Sequence, residues 1–146
     1  MCKMIEFRKG SIFDFEGQTI VNPINCVGVM GAGLALQFKQ RYPGMFEQYK
    51  IFCNNNLLFP GTLWIWKDEK WVLNFPTKVH WKDPSKYEYI EKGLIHFVET
   101  YKEQGITSIA FPLLGTGLGH LVKDDVKLLM TKYLNQCDIP IIVYEN

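Results

Sequence analysis

Residues 20–38 read IVNPINCVGVMGAGLALQF, an uncharged stretch that predicts a buried strand, a glycine-rich loop and the start of an amphipathic helix. A shorter version of the same order follows at residues 108–126, SIAFPLLGTGLGHLVKDDV. Glycine loops before helices bind anions because their backbone N–H groups can close on an oxyanion and the helix N-terminus adds partial positive charge. The two units therefore predict two anion cradles that share one diphosphate ligand.

Outward from these units, strands alternate with helices, a pattern typical of a three-layer α/β/α sandwich with a mixed central sheet. The predicted strands are residues 4–8, 19–21, the hairpin of 62–66 and 71–75, 108–111 and 139–144. The predicted helices are residues 34–42, 45–53, 85–101 and 122–134, and Ser85 with Glu88 forms a capping box that opens the third. From a length of 146 residues we expect residues 1–146 to form a single domain.

The composition predicts a real hydrophobic core and no broad basic surface, since 47% of residues are hydrophobic and the net charge is +1. Such a charge argues against a protein that binds nucleic acid mainly through many contacts to the phosphate backbone. It is compatible with a nucleic-acid substrate that is bound through one modified nucleotide. Cysteines stand at positions 2, 26, 53 and 137, without ligand spacing to any histidine. We therefore expect no metal site and no cofactor.

The N-terminus, MCKMIEFRKG, carries charges throughout and has no apolar run, so it predicts no signal peptide. The longest uncharged stretch, residues 17–38, contains asparagines, a proline and glycines and is therefore not a membrane span. Scattered cysteines of this kind are typical of reduced thiols in the cytosol. We expect a cytoplasmic monomer that does not contact a membrane.

The first glycine loop, residues 28–33, has the order G-x-x-G-x-G, which differs from the G-x-G-x-x-G of dinucleotide-binding folds. No G-K-[ST] sequence is present, so neither loop is a P-loop. Glycines at a tight turn are often only structural. The pairing of this loop with residues 115–119 is what favours a diphosphate ligand.

Three stretches together resemble the macrodomain family of ADP-ribose-binding modules. They are VNPINCVGVMGAGLALQFK at 21–39, NFPTKVHWKDPSKYEYIEKGL at 74–94 and FPLLGTGLGHL at 111–121. Within the family the chain is most similar to the DarG-type DNA ADP-ribosyl glycohydrolases, for which the Pro-Thr-Lys-x-His-Trp stretch is the more specific signal. It is less similar to terminal ADP-ribose protein glycohydrolase. The resemblance covers essentially the whole chain and implies the macrodomain fold and ADP-ribose binding.

The resemblance also implies the ADP-ribose-binding residues. They are Ser11, Ile12, Asn22, Val29, Met30, Gly31, Ala32, Gly33, Leu34, Pro112, Leu113, Gly115, Thr116, Gly117, Leu118, Gly119 and Tyr144. Tyr144 matches an aromatic residue beside the adenine, where Ile12 would assist. The chain departs from the family at two positions: Ser11 stands where an aspartate often grips adenine, and Gly119 stands where the protein glycohydrolase has an aspartate.

The resemblance implies two catalytic residues. Lys78 matches the lysine to which catalysis is assigned in the DarG-type branch, and Asn25 matches an asparagine near the distal ribose. A generic lysine is a solvated surface group, and a nucleophilic lysine needs burial or nearby positive charge to lower its pKa. His80 would project from the same face of an extended segment as Lys78 and protonate the leaving base, unless it is an ordinary surface histidine. Trp81 beside Lys82 suits either stacking on a nucleobase or packing against the next helix.

The strand-end asparagines at positions 22 and 25 are open to two interpretations. Asparagine at the end of a strand is commonly a turn residue. Two of them before a glycine loop also suit amide contacts to ribose hydroxyls, which is the interpretation that we favour from the sequence. Cys26 between them and the loop is expected to be a small buried residue rather than a nucleophile.

Three functions follow from the resemblance. The first is removal of ADP-ribose from thymine bases of single-stranded DNA, an antitoxin-like repair of DNA ADP-ribosylation, with a cognate ADP-ribosyltransferase toxin as a partner. The second is hydrolysis of ADP-ribosyl esters on acidic side chains of proteins, or of O-acetyl-ADP-ribose, against which Gly119 counts. The third is a reader that binds ADP-ribose without turnover. Whether Lys78 forms a covalent adduct, and whether the chain stands alone or is part of a longer antitoxin, stay open.

Overall fold

A six-stranded sheet forms the middle layer of the protein in the computed structural model, which describes residues 5–145. The strands are β1 (Ile5–Arg8), β2 (Thr19–Ile24), β3 (Trp64–Lys67), β4 (Trp71–Pro76), β5 (Ile109–Pro112) and β6 (Ile141–Tyr144). The helices are α1 (Gly33–Arg41), α2 (Pro43–Asn54), α3 (Tyr87–Thr100) and α4 (Lys123–Leu134). Cys2 and Met4, the predicted first residue of β1, lie outside the described residues. No helix within the described residues has the length and apolar character that crossing a membrane requires.

The sheet is mixed and has the strand order β1-β6-β5-β2-β4-β3. Its neighbouring strands are parallel except β3, which runs antiparallel to β4. The predicted α/β/α sandwich with a mixed sheet is therefore confirmed. Because parallel strands point their carboxyl ends to the same edge, the segments that follow β1, β2, β4, β5 and β6 meet there.

Two hydrophobic cores, one on each face of the sheet, hold the helices in place. Alternation along β2 sends Val21 into the core beneath α3 and α4, and Ile20 into the core beneath α1 and α2. The helices contribute the fully buried side chains Phe38, Met45, Tyr49, Ile90, Leu94, Val126 and Met130. The central strand is thus covered on both faces, as its uncharged sequence predicts.

Several element boundaries differ from those predicted, and two of these differences have a clear physical reason. β2 continues to Ile24, because its parallel pairing with β4 runs on through Pro23, which lies opposite Phe75. The helix expected from residue 45 begins at Pro43. Proline is well suited to the first helical position, where its missing N–H leaves no bond unmade.

The predicted capping box at the start of α3 is wrong. The helix begins at Tyr87 with Lys86 as its N-cap, and no side chain caps it. Ser85 instead donates its backbone N–H to the carbonyl oxygen of Gly119 at 3.0 Å. Its hydroxyl is buried and has no hydrogen-bond partner among the described residues. Tertiary contact with a distant loop, rather than the local helix end, decides the position of this serine.

Candidate active site

The carboxyl edge of the parallel strands surrounds a cavity of about 1340 Å³. Its lining comes from the segments that follow β1, β2, β4 and β5 and from the last residue of β6. The segment after β2 forms loop 1 (residues 25–33), and the segment after β5 forms loop 2 (residues 113–119). Small-molecule sites usually enclose roughly 300–1,000 Å³. The cavity is therefore large enough for a long ligand.

The side-chain amide of Asn25 shapes loop 1. Its Nδ2 donates to the Val29 carbonyl oxygen at 2.7 Å, and its Oδ1 accepts from the N–H groups of Val27 at 3.1 Å and Val29 at 3.4 Å. The fully buried Tyr49 donates its hydroxyl to Asn25 Oδ1 at 2.7 Å, and burial raises the pKa of Tyr49 so that this proton stays in place. Gly28, with φ of +85°, takes the left-handed conformation that the turn requires.

Helix α1 presents its N-terminus to the cavity through Gly31, Ala32 and Gly33, which line it. No side chain caps this helix end, and the first N–H groups of a helix have no partner within the helix. A side chain at Gly33 would press on the Leu118 side chain from across the cleft, with a Cβ to Cδ1 distance of 3.3 Å. Loops 1 and 2 therefore approach each other at the point where backbone N–H groups can bind an anion.

Loop 2 is held from beneath by Ser85. Besides the bond from Ser85 to the Gly119 carbonyl, the Leu121 N–H donates to the Gly115 carbonyl oxygen at 2.9 Å. A Cβ at position 119 would overlap the Ser85 hydroxyl and the Gly115 carbonyl oxygen. Position 119 consequently has no room for a side chain in this conformation of the loop.

Lys78 lies between the two loops, two residues beyond β4. Its side chain is buried, with the residue 9% exposed, and its Nζ donates to the Leu118 carbonyl oxygen at 3.1 Å. Burial lowers the pKa of Lys78 below its ordinary value, while the Asp83 carboxylate acts in the opposite direction. The balance favours the neutral amine more than at a surface lysine, which is what nucleophilic or base chemistry at this nitrogen needs.

The cavity carries basic groups. Lys78, Lys82, Lys123 and His120 line it, and no aspartate or glutamate does so within residues 5–145. The same described range contains no group of three or more His, Cys, Asp or Glu residues that would hold a metal ion. Burial raises the pKa of the nearby Cys26 thiol to about 12, which keeps it protonated and unreactive. The lining thus favours an anionic ligand.

The edge of the cavity beneath β1 and β6 is apolar. Ile12 and Tyr144 line it and are themselves mostly buried. Gly10, at φ of +133°, brings the backbone against the Tyr144 ring, where an added Cβ would lie 3.6 Å from the ring. Ser11 accepts the Phe13 N–H at 3.2 Å and so caps the 3₁₀ turn that positions Ile12. A flat apolar base suits this end of the cavity.

The segment after Lys78 is a turn rather than the extended chain that the sequence suggested. His80 Nδ1 accepts the Lys82 N–H at 3.1 Å, and the His80 carbonyl oxygen accepts the Asp83 N–H at 3.1 Å. The turn overturns the expectation that Lys78 and His80 project from one face. Trp81 lines the cavity, and His80 does not.

Most of the residues predicted for the site line this cavity. They are Lys78, Asn25, Ser11, Ile12, Val29, Gly31, Ala32, Gly33, Leu34, Pro112, Leu113, Gly115, Thr116, Gly117, Leu118, Gly119 and Tyr144. Three predicted residues lie outside the lining: His80, Asn22 and Met30. Asn22 is fully buried and donates to Asn74 Oδ1 at 3.0 Å, and Met30 is 1% exposed within the core. Asn22 lies beneath loop 1, and Met30 anchors that loop in the core, where its Sδ lies 3.9 Å from Asn22 Nδ2. The roles of the lining residues in binding stay predictions.

Other lining residues were not predicted. Gln37 is the fifth residue of α1 and Lys123 the first of α4, and both are exposed, so the sequence does not distinguish them from ordinary surface residues. Thr77 lies beside Lys78 in the Pro-Thr-Lys stretch. The sequence signal that could have identified Thr77 is its position next to Lys78, which was itself predicted as a site residue.

A basic cavity between two glycine loops and an uncapped helix N-terminus, at the carboxyl edge of a mostly parallel sheet, defines an α/β module for a phosphorylated ligand. The family model described as Macro domain matches residues 21–130. The chain belongs to the macrodomain family.

The relatives of known name include DarG-type glycohydrolases. The DNA ADP-ribosyl glycohydrolase of Mycobacterium tuberculosis is 39% identical over 147 aligned residues, covering 97% of this chain and 42% of that protein. The structure of Thermosipho africanus DarTG in complex with ADP-ribose matches at a TM-score of 0.95 and 36% identity, covering 99% of this chain and 42% of that chain. The macrodomain of Mycobacterium tuberculosis DarG matches at 0.92 and 39%, covering 98% of both chains.

A more distant relative is ADP-ribose glycohydrolase OARD1 of Bos taurus, 26% identical over 141 residues, which cover 96% of this chain and 90% of that protein. The predicted resemblance, nearer to the DarG type than to the protein glycohydrolase, is confirmed. The chain spans about two fifths of the length of the DarG-type relatives. That residues 1–146 form a single domain stays a prediction.

Proposed function

We propose that this macrodomain is an ADP-ribosyl glycohydrolase that removes ADP-ribose from thymine bases in DNA. The observation that carries the proposal is Lys78: a buried lysine with a lowered pKa, held between two anion-binding loops in a cavity without a carboxylate among residues 5–145. The names of three relatives that are 35–39% identical to this chain, DNA ADP-ribosyl glycohydrolases, support the same substrate class.

The lining of the cavity supports one proposed orientation of ADP-ribose. The adenine lies beside Ile12 and Tyr144, at the apolar edge under β1 and β6. The diphosphate binds across loop 2 and the N-terminus of α1, which supply backbone N–H groups. The distal ribose then reaches loop 1 and Lys78, at the end of β4.

The reaction is a hydrolysis. The bond from the anomeric carbon of the distal ribose to a nitrogen of thymine breaks, and its electron pair leaves with the base. Water supplies a hydroxyl group to the carbon and a proton to the base. The carbon gains oxocarbenium character as the bond breaks, so a fixed neutral amine beside it lowers the barrier, either by covalent attack or by positioning water.

Ester hydrolysis is less well supported by the same cavity. The protein glycohydrolase of the family carries an aspartate where this chain has Gly119, and a side chain there would overlap Ser85 and Gly115. A non-catalytic reader is disfavoured by the buried Lys78, because burying a cation is costly unless the site uses it.

We further propose an antitoxin-like setting, with a cognate ADP-ribosyltransferase as a partner. The support is a relative in which both activities are named in one protein, the DNA ADP-ribosyl transferase–DNA ADP-ribosyl glycohydrolase fusion of Thermosipho africanus, which is 36% identical over 156 aligned residues. Single-stranded DNA as substrate, a cytoplasmic location and a monomeric state belong to the same proposal.

The test offers the protein ADP-ribosylated thymidine in single-stranded DNA and glutamate-linked ADP-ribose on protein, side by side. We expect release of ADP-ribose from DNA. Lys78→Ala should lower that rate by a factor of about 10² or more, while calorimetric titration finds ADP-ribose affinity within about threefold of the unchanged protein. Lys92→Ala, an exposed lysine of α3 outside the cavity, is the matched control. Release from protein alone would contradict the proposal, and release from neither substrate would favour a reader.

A further inference from the structure

The turn after Lys78 presents an exposed aromatic side chain at the edge of the cavity. Trp81 is 50% exposed and lines the cavity, Lys82 lines it beside the tryptophan, and His80 packs behind it. We infer that the turn of His80, Trp81 and Lys82 is a binding site for the nucleobase that departs from ADP-ribose and for the phosphate next to that base in the nucleic-acid strand. This inference rests on the proposed function and names where its substrate is held.

The turn is preorganised. The Lys82 N–H binds His80 Nδ1 and the Asp83 N–H binds the His80 carbonyl oxygen, both at 3.1 Å, so the backbone of the turn is fixed. The His80 ring lies against Trp81 with ring centroids 5.5 Å apart and planes inclined by 33°. Because His80 Nδ1 accepts a hydrogen bond, the neutral ring carries its hydrogen on Nε2. His80 therefore supports the indole and is engaged away from the cavity.

The strand order separates this turn from the adenine end. Tyr144 ends β6, and Trp81 follows β4, with β5 and β2 between them. Three neighbour spacings of about 4.8 Å place the ends of β6 and β4 roughly 14 Å apart along the sheet edge. Trp81 therefore belongs to the end of the cavity where Lys78 meets the distal ribose. A base attached to the anomeric carbon leaves the ADP-ribose cavity on this side.

The chemistry of the turn suits a nucleotide. Every nucleobase has a flat face that stacks on an aromatic side chain, and a lysine beside the ring neutralises the adjoining phosphate. The Lys82 Nζ lies 5.4 Å from the Trp81 ring centroid. Besides Lys82, the basic groups that line the cavity are Lys78, His120 and Lys123, and the Asp83 carboxylate lies outside the lining. A net charge of +1 gives the chain little electrostatic attraction for a long nucleic-acid strand, which favours recognition confined to the modified nucleotide and one neighbouring phosphate.

The experiment compares two base-linked substrates, ADP-ribosylated thymidine nucleoside and an ADP-ribosylated single-stranded oligonucleotide, with glutamate-linked ADP-ribose and with binding of free ADP-ribose. Trp81→Ala should raise KM for both base-linked substrates by about 5- to 150-fold, the range that loss of one base stack produces. Trp81→Phe should recover most of that loss. Free ADP-ribose should bind both variants within about twofold of the unchanged protein.

Lys82→Ala tests the contribution of the neighbouring phosphate to binding separately from that of the base. The variant should raise KM for the oligonucleotide but not for the nucleoside. The slope of log KM against the logarithm of salt concentration should fall by about the amount that one phosphate contact contributes. The nucleoside, which lacks the phosphate, should be unaffected. Melting temperatures of all variants check the fold, and because both side chains are exposed they should change little.

Each outcome bears on a different statement. If the unchanged protein cleaves the base-linked substrates but Trp81→Ala leaves their KM unchanged, the inference is overturned and the proposed function stands. The inference is also overturned if Trp81→Ala weakens the binding of free ADP-ribose by the same factor, or raises KM for glutamate-linked ADP-ribose by the same factor. Trp81 would then serve the shared cavity or a protein substrate. If the unchanged protein cleaves neither base-linked substrate, the proposed function fails and takes the inference with it.

Discussion

Replacing Asn25 distinguishes a residue that shapes a loop from one that contacts the ribose. The resemblance to macrodomains implies a catalytic role near the distal ribose. In the structure, however, both ends of the Asn25 amide are bonded within the protein, to Val29, Val27 and Tyr49. We expect Asn25→Ala to act first on the conformation of loop 1 and only through that loop on catalysis.

The magnitude follows from the bonds lost. Three of the bonds, from Asn25 to Val27, to the Val29 carbonyl and to Tyr49, are at most 3.1 Å long. Each contributes about 0.5–1.5 kcal/mol. Val27 and Val29 are exposed, so their backbone groups regain water, and the Tyr49 hydroxyl keeps the Asn25 carbonyl oxygen at 2.8 Å. The low end of the range applies, and the free energy of unfolding should fall by about 1.5 kcal/mol, or about 3–6 °C in Tm.

Thermal unfolding and calorimetric titration with ADP-ribose measure the two effects. Because binding must then reorder loop 1, the affinity for ADP-ribose should fall by up to about tenfold. Tyr49→Phe removes the hydroxyl that contacts both Asn25 Oδ1 and the Asn25 carbonyl oxygen but leaves the Asn25 bonds to loop 1 in place, so it should lower stability by about 0.5–1.5 kcal/mol. Asn55→Ala is the matched control: this amide also bonds a backbone carbonyl, that of Ile51 at 2.8 Å, but it is exposed and remote from the cavity, so the change should stay below about 0.5 kcal/mol.

One combination of results would refute this reasoning. If Asn25→Ala unfolds at the temperature of the unchanged protein and binds ADP-ribose equally well, yet loses turnover, the amide contributes to the reaction directly. The Asn25 bonds to loop 1 would then be incidental to its function. A loss of stability without any loss of ADP-ribose affinity would show instead that the ligand does not require this conformation of loop 1.

Two further predictions concern charge and space around the site. Asp83→Asn should move the rising limb of the pH profile of kcat/KM to lower pH. The Asp83 carboxylate raises the pKa of Lys78, so without it the Lys78 amine becomes neutral at a lower pH. A limb that stays in place or moves to higher pH would contradict this prediction. Gly119→Ala should lower stability by about 1–3 kcal/mol and weaken ADP-ribose binding, because its Cβ would overlap Ser85. Urea unfolding measures that cost, and Gly117→Ala, where a Cβ meets nothing within 4 Å, is the control that should change stability little. Equal effects of the two alanines would show that packing beneath loop 2 is not what requires glycine at position 119.

The fold was predictable because its determinants are local. The alternation of uncharged strands with amphipathic helices specifies the layers, and the hairpin from residue 62 to residue 75 specifies the antiparallel strand. Errors arose where a distant contact overrides a local preference. Ser85 and Glu88 have the pattern of a capping box, yet Gly119 binds the Ser85 backbone from another loop and the helix begins later. No window of sequence around Ser85 contains that information.

The site was predictable in its glycines and less so in its polar side chains. The glycine loops follow from the local order of residues, whereas Lys78 was singled out only by resemblance to a family, because nothing in its neighbours shows that it is buried. For Asn25 the sequence allowed a turn residue or a ribose contact. The structure uses its Oδ1 to accept the N–H two residues on, which is the Asx turn that asparagine commonly makes. His80 was misplaced because the alternation rule holds only for extended chain, and the chain turns there.

The sheet itself connects ligand binding to the reacting group. Beyond the ends of β2 and β4 the two segments that follow these strands stay hydrogen-bonded to each other. The Thr77 N–H donates to the Ile24 carbonyl oxygen at 2.9 Å, and the Cys26 N–H donates to the Val79 carbonyl oxygen at 2.8 Å. These two bonds bracket Lys78 and fix its backbone to the start of loop 1. On the other side, its amine bonds the backbone of loop 2. A ligand that spans both loops is thereby held in a fixed relation to Lys78, and this positioning is the main contribution that a rigid site makes to rate.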